Sequence, residues 1–160
     1  MIRYYVIEIA LLIEKVREMA ISEAKIQVRY AETDMMGVVY HANYLIWMEV
    51  GRTKFVQDLG LDYKSMEAKG YVAPIIDVQV SYKHAVRYGE EVTVKTWIQQ
   101  YSKLKTVYAY EMIKPDGKIA CTGTSTHIVV NRETFRPVPL NRVDPEWHSV
   151  YENIMAKQNV

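Results

Sequence analysis

A chain of 160 residues is long enough for one domain with a substantial buried core. Its 20 lysines and arginines against 19 aspartates and glutamates leave a formal charge of +1, without the clustered basic excess of a dedicated nucleic-acid binder. The single cysteine, Cys121, excludes an intramolecular disulfide, and no Cys/His spacing suits a metal, so a reducing cytoplasm is the expected compartment.

Residues 1 to 20 carry an apolar run interrupted by Glu8 and followed by Glu14, Lys15 and Arg17. The run is too short and too charged to span a bilayer, and no small-residue cleavage site follows Arg3 and its apolar neighbours. Residues 1–22 are therefore expected to be an N-terminal extension. They would form either an amphipathic helix on a neighbour or residues upstream of a biological start at Met19.

From Lys25 to Tyr30 apolar and polar residues alternate, the pattern of a half-buried strand. A polar loop with Asp34 and Gly37 follows, then apolar Val38 and Val39. Asn43 is placed to cap a helix running to Leu59, with Gly60 as its stop. Tyr44, Trp47, Met48, Gly51, Phe55 and Leu59 recur at spacings of three and four, one apolar stripe along a rod of roughly 24 Å. Glu49 and Arg52, three apart, are expected to pair on the helix surface.

Asp62 to Gly70 reads as a short helix or irregular connection, and strands follow. Ile76, Val78, Val80 and Tyr82 share one face, Val92, Val94, Thr96 and Ile98 the next, with a turn at Tyr88-Gly89-Glu90 between them. Leu104 to Met112 alternates again, Pro115-Asp116-Gly117 is a hairpin turn, and Ile119 to Val130 is the last long strand, with Gly123 expected at a bulge or bend. Arg136-Pro137-Val138-Pro139 closes the sheet. Asp144-Pro145-Glu146 opens a C-terminal helix over 143–160, with Asp144 as cap and Pro145 in the first turn. One strand, one long helix and four strands in succession make an α+β layout. Trp97, Val107, Ala109 and Ile113 alternate opposite to the core set. A second sheet face and open strand edges therefore need cover, for which a two-fold dimer is the commonest solution.

The stretch Thr33-Asp34-Met35-Met36-Gly37-Val38-Val39-Tyr40-His41-Ala42-Asn43-Tyr44 resembles the signature of the 4-hydroxybenzoyl-CoA thioesterase-type branch of the hotdog superfamily. Within that branch it is most similar to the bacterial short-chain acyl-CoA thioesterases of the Tol-Pal-associated type. The resemblance covers roughly residues 24 to 140. It implies a hotdog domain over 23–142: a curved antiparallel sheet of about five strands wrapped around one long central helix. It also implies hydrolysis of an acyl-CoA thioester, with coenzyme A as part of the substrate and no other cofactor, and a homodimer or a tetramer of stacked dimers.

A carboxylate in a tight loop beside a helix start is suited to that chemistry, because the first N–H groups of a helix lack partners and carry positive partial charge. Asp34 would be nucleophile or general base. The resemblance places the oxyanion donor at the backbone N–H of His41 and gives Tyr30 the task of orienting the carboxylate. Gly37, Val38 and Tyr40 would meet the substrate. Lys83, His84 and Arg87 are candidates for the CoA phosphates, Lys83 and Arg87 foremost. Glu49 is the rival acid on the helix. A hotdog dehydratase using His41 and Glu49 is the first alternative, but the dehydratase His-loop signature is missing; a non-catalytic acyl-CoA-binding module is the second, and an intact Asp34 counts against it.

Overall fold

The computed structural model describes residues 21–158. The expectations for the first twenty residues lie outside them. Five strands form one antiparallel sheet: β1 (Ile21–Gln27), β3 (Ile75–Tyr82), β4 (Glu91–Tyr101), β5 (Thr106–Ile113) and β6 (Ile119–His127). Their order is β1-β4-β5-β6-β3, which leaves β1 and β3 as the edges. Two short strands, β2 (Tyr71–Val72) and β7 (Val130–Asn131), pair separately. The central helix α1 (Asn43–Asp58) packs against β1, β4 and β5. A short α2 (Tyr63–Ala68) follows it, and α3 (Leu140–Val143) and α4 (Pro145–Gln158) complete the chain. This is the hotdog arrangement, α+β, with a C-terminal helix in addition.

The apolar stripe decides how α1 lies. Tyr44, Trp47, Met48, Gly51 and Phe55 are buried against the sheet, as their spacing requires. Gly51 is a close approach: a Cβ there would stand 2.5 Å from Thr96 Oγ1 and 2.8 Å from Val94 Cγ1 on β4. At the far end Gly60 adopts φ +73° and donates to Gln57 O at 2.9 Å, while Leu61 N–H reaches back to Val56 O at 3.1 Å. Those two bonds close the helix on a left-handed residue, as the sequence predicts.

Several expectations are corrected. The first strand starts at Ile21 and ends at Gln27, not Lys25 to Tyr30. Its register is set by pairing with β4, from Ile21 opposite Trp97 to Gln27 opposite Glu91, and Tyr30 falls in a 3-10 turn beyond it. Leu104 is exposed at the β4–β5 tip rather than within a strand. The last long strand stops at His127, and Val130 leaves the main sheet for the small one. Gly123 is not a bulge: it sits in register opposite Val80 and Tyr110, and a Cβ there would stand 2.6 Å from Gln79 O. Asp144 caps α4 as predicted, its Oδ1 accepting from Trp147 N–H at 3.0 Å.

Candidate active site

The loop from Thr33 to Ala42 is held by its backbone and by one buried acid. Thr33 bridges Val39, Val39 N–H donates to Val86 O at 2.8 Å, and Tyr40 N–H donates to Glu32 O at 2.9 Å. Glu32 is buried and binds three donors: Arg29 N–H at 2.8 Å, Arg29 Nη2 at 3.0 Å and Trp47 Nε1 at 3.0 Å. Burial alone would raise its carboxyl, but the bonds from Arg29 and Trp47 outweigh burial and hold it below the usual carboxylate range. The carboxylate therefore ties the loop to the core face of α1.

Asp34 is half-buried at the tip of this loop. Its Oδ1 accepts from Met36 N–H at 2.8 Å, and its backbone N–H donates to Val38 O at 2.9 Å. A side chain bonded to the backbone two residues on fixes the carboxylate's direction and uses only one of its two oxygens. Gly37 closes the turn at φ +72°, a conformation that glycine adopts freely.

Asn43 does not cap α1. The helix begins at Asn43 itself, with Ala42 before it and no side-chain cap. The Asn43 amide instead donates from Nδ2 to Glu32 O at 2.7 Å, bracing the loop from below. Among the described residues the N–H groups of His41 and Ala42 meet no acceptor. The start of α1 is thus an open cluster of donors beside a fixed carboxylate, suited to an oxygen that gains negative charge.

His41 is exposed, and its carbonyl accepts from Tyr82 Oη at 3.0 Å. Its ring packs at a tilt against Tyr40, 4.4 Å between centroids, and makes no bond to Asp34. Tyr30 is exposed, packs edge-on against Tyr88 at 5.6 Å and also makes no bond to Asp34. Val38 is half-buried in the loop wall. Arg87 is brought to the loop, its Nη1 donating to Gly37 O at 3.2 Å; Lys83 and His84 are exposed at the end of β3. Tyr44 lies under the loop, its phenol pushed up to about 12 by burial and then by nearby Cys121. Glu49 is exposed on α1, and the predicted pair with Arg52 is absent: Arg52 turns inward, Nη1 lying 3.2 Å from His127 Nε2.

Sequence reasoning missed Glu32, Tyr82 and His127. Glu32 stands two residues before Asp34 and resembles any loop acid; only its bond to Trp47, fifteen residues on, reveals its role. Among the described residues no three His, Cys, Asp or Glu side chains gather as metal ligands would, and no helix is long and apolar enough to cross a membrane.

Residues 28–151 match the model of the thioesterase-like superfamily. The chain belongs to that superfamily. A Bacillus subtilis protein named "Putative acyl-CoA thioesterase YneP" is 50% identical over 134 residues, covering 84% of this chain and 97% of that one. The crystal structure of the DHNA-CoA thioesterase from Staphylococcus aureus superposes with a TM-score of 0.85 at 43% identity, covering 87% of this chain and 93% of that one. The 1,4-dihydroxy-2-naphthoyl-CoA hydrolase of Rippkaea orientalis is 22% identical over 129 residues, which cover 79% of this chain and 94% of that one. The match to the thioesterase-like model spans the Asp34 loop, α1 and all the long strands after it.

Proposed function

We propose that this thioesterase-like chain hydrolyses acyl-CoA thioesters, adding water across the C–S bond to give a carboxylic acid and free coenzyme A. The observation that carries this reading is the fixed Asp34 carboxylate beside the open donors of His41 and Ala42 at the uncapped start of α1. The relatives named for acyl-CoA and DHNA-CoA chemistry support it. Asp34 either attacks the thioester carbonyl, giving an acyl-carboxylate anhydride that water then cleaves, or takes a proton from the attacking water. In both routes the carbonyl oxygen becomes an oxyanion, and the His41 N–H stabilises it, a contribution of about 3–4 kcal/mol to the barrier for such donors. Met36 N–H, not Tyr30, orients the Asp34 carboxylate in this structure; Tyr40 flanks the loop as a substrate-contacting residue, Gly37 and Val38 line it, and Arg87 and Lys83 face the CoA phosphates. Likeness of the Asp34 motif to the 4-hydroxybenzoyl-CoA type, and within it to the Tol-Pal-associated short-chain enzymes, supports a carboxylate in this role; a panel of aromatic and short aliphatic acyl-CoAs separates those branches.

The test is thiol release by wild type and by Asp34→Asn. Hydrolysis should fall at least about a hundredfold in the variant, the scale of a lost general base, while acyl-CoA still binds. Activity near wild type would transfer the role to Glu49, and abolition of turnover in well-folded Glu49→Gln would do the same.

The working form in this reading is a two-fold dimer in the cytoplasm, with a stacked tetramer as a further step. Ile76 and Val78 belong to the core-type set of β3 yet are exposed at 54% and 39%, on a strand with one free edge. Leu45, Ile46 and Val50 are likewise exposed, on α1. A second copy paired at β3 would satisfy the edge and cover these side chains. Light scattering at micromolar concentration checks it: a fully active monomer would refute the dimer.

A further inference from the structure

The open N–H groups of His41 and Ala42 are each one half of a peptide unit, and the preceding residue's carbonyl is the other half. In a planar trans peptide that carbonyl points opposite to the N–H, so whatever holds the carbonyl also aims the donor. The His41 N–H shares its unit with the Tyr40 carbonyl, which accepts from Asn43 N–H at 2.9 Å. Backbone alone fixes that donor. The Ala42 N–H shares its unit with the His41 carbonyl. A regular α-helical turn would give this carbonyl the Leu45 N–H, but Leu45 N–H donates to Ala42 O at 3.2 Å instead. The His41 carbonyl is held by a side chain from the sheet: Tyr82 Oη donates to it at 3.0 Å.

Tyr82 is well seated for this bond. It is the last residue of β3, in register opposite Cys121 of β6, and its ring meets buried Tyr44 edge-on, 5.2 Å between centroids. Burial, and then nearby Cys121, push its phenol above the ordinary value, so the donor keeps its proton at neutral pH. Ala42 already has helical dihedrals, φ −67° and ψ −25°, so its N–H points out of the N-terminal end of α1. A hydrogen bond accepted at the carbonyl end polarises the peptide and leaves the N–H more positive, the cooperative strengthening of linked hydrogen bonds.

We infer that Tyr82 is a positioning residue for the reaction: through the His41–Ala42 peptide it aims and polarises the Ala42 N–H as a second donor to the oxyanion, beside the His41 N–H. This rests on the thioesterase reading. Charge grows on the thioester oxygen only as its carbon becomes tetrahedral, so the benefit falls on the transition state and not on bound acyl-CoA.

The experiment follows thiol release from acetyl-CoA, butyryl-CoA and benzoyl-CoA. It compares wild type, Tyr82→Phe and a protein carrying a fluorinated tyrosine at residue 82. Tyr82→Phe keeps the ring against Tyr44 and removes only the donor. Its kcat and kcat/KM should fall together by about tenfold, the effect of one hydrogen bond expressed in the transition state, with KM unchanged. The fluorinated phenol keeps the donor but ionises at lower pH. Its kcat should at least match wild type below that ionisation and sink to the Tyr82→Phe level above it, because a phenolate accepts and cannot donate. Wild-type turnover by Tyr82→Phe would overturn the inference. So would a change confined to KM, the mark of a residue that only shapes the loop, or a fluorinated protein whose pH profile follows wild type throughout. In each of those outcomes wild type still hydrolyses its substrate and the thioesterase reading stands. Thiol release by wild type from none of the three would instead sink that reading, and the inference with it.

Discussion

Acidification should destabilise this protein through His127 in a pH window that can be worked out beforehand. The ring is buried with its Nε2 between Ser125 and Arg52, and its folded value lies near 4 rather than the usual 6.5. The unfolded chain binds a proton at this histidine below about 6.5, whereas the folded chain resists it until about 4. The stabilisation is therefore complete above 6.5 and declines as the pH falls from 6.5 to about 4. Below that both states are protonated and the loss stops growing. A fall from 6.5 to about 4, at about 1.4 kcal/mol per pH unit, is about 3 kcal/mol. That is a large share of the about 5–15 kcal/mol that holds a typical domain together. Urea unfolding between pH 7.5 and 4 measures it on wild type and on His127→Gln, whose amide can accept from Arg52 but cannot titrate. The variant should be less stable at pH 7.5 yet lose less stability on acidification, and the two curves should converge toward pH 4. Parallel curves across the window would refute the reasoning, because the proton would then be acting elsewhere.

Glu32→Gln removes the charge from the carboxylate that binds Arg29 and Trp47, and should cost about 1–3 kcal/mol, read by thermal melting. Because the folded carboxyl of Glu32 is depressed, its contribution is present above the ordinary carboxylate value and lost as pH falls through the folded one, so the variant should show less acid sensitivity below about pH 4. Gly51→Ala forces a methyl against Thr96 and Val94, and should cost about 1–3 kcal/mol by overpacking; unchanged stability would show that α1 can shift. A chain beginning at Met19 retains the whole of β1 and should fold, assemble and hydrolyse acyl-CoA like the full chain; loss of soluble protein would show that residues 1 to 18 pack on the fold. If the sites are shared, mixing Asp34→Asn chains with chains whose helix start is disabled should restore some hydrolysis in the mixed dimers; no recovery despite subunit exchange would mean each site is built within one chain.

The parts of the fold that depend on local pattern were legible in the sequence. The stripe from Tyr44 to Phe55 fixed which side of α1 meets the sheet, Gly60 its end, and Pro115-Asp116-Gly117 a hairpin whose Gly117 indeed adopts φ +81°. What the sequence concealed depends on partners far along the chain. Asn43 is a good cap by type, but its amide is taken by the Glu32 carbonyl, and the helix start stays open because of it. Arg52 stands three residues from Glu49, and spacing alone favours that surface pair; the inward rotamer is chosen by His127, seventy-five residues away. Gly123 has the composition of a bend, yet it is there because Gln79 O passes where a side chain would stand. The Asp34 loop lay between these cases: its acid and glycine were readable, and the buried Glu32 that anchors them was not.

The bond from Tyr82 to the His41 carbonyl joins the reaction loop to a strand with only one neighbour in the sheet. In a lone chain, an edge strand with exposed apolar residues is among the first elements to open by local fluctuation, well before the core unfolds, and pairing with a second copy would suppress that opening. Each such opening of β3 would release His41 along with it and scatter the donors at the start of α1. Amide exchange along β3 and the thermal fade of hydrolysis should therefore share one temperature dependence, set by a local opening event and lying below the melting of the sheet.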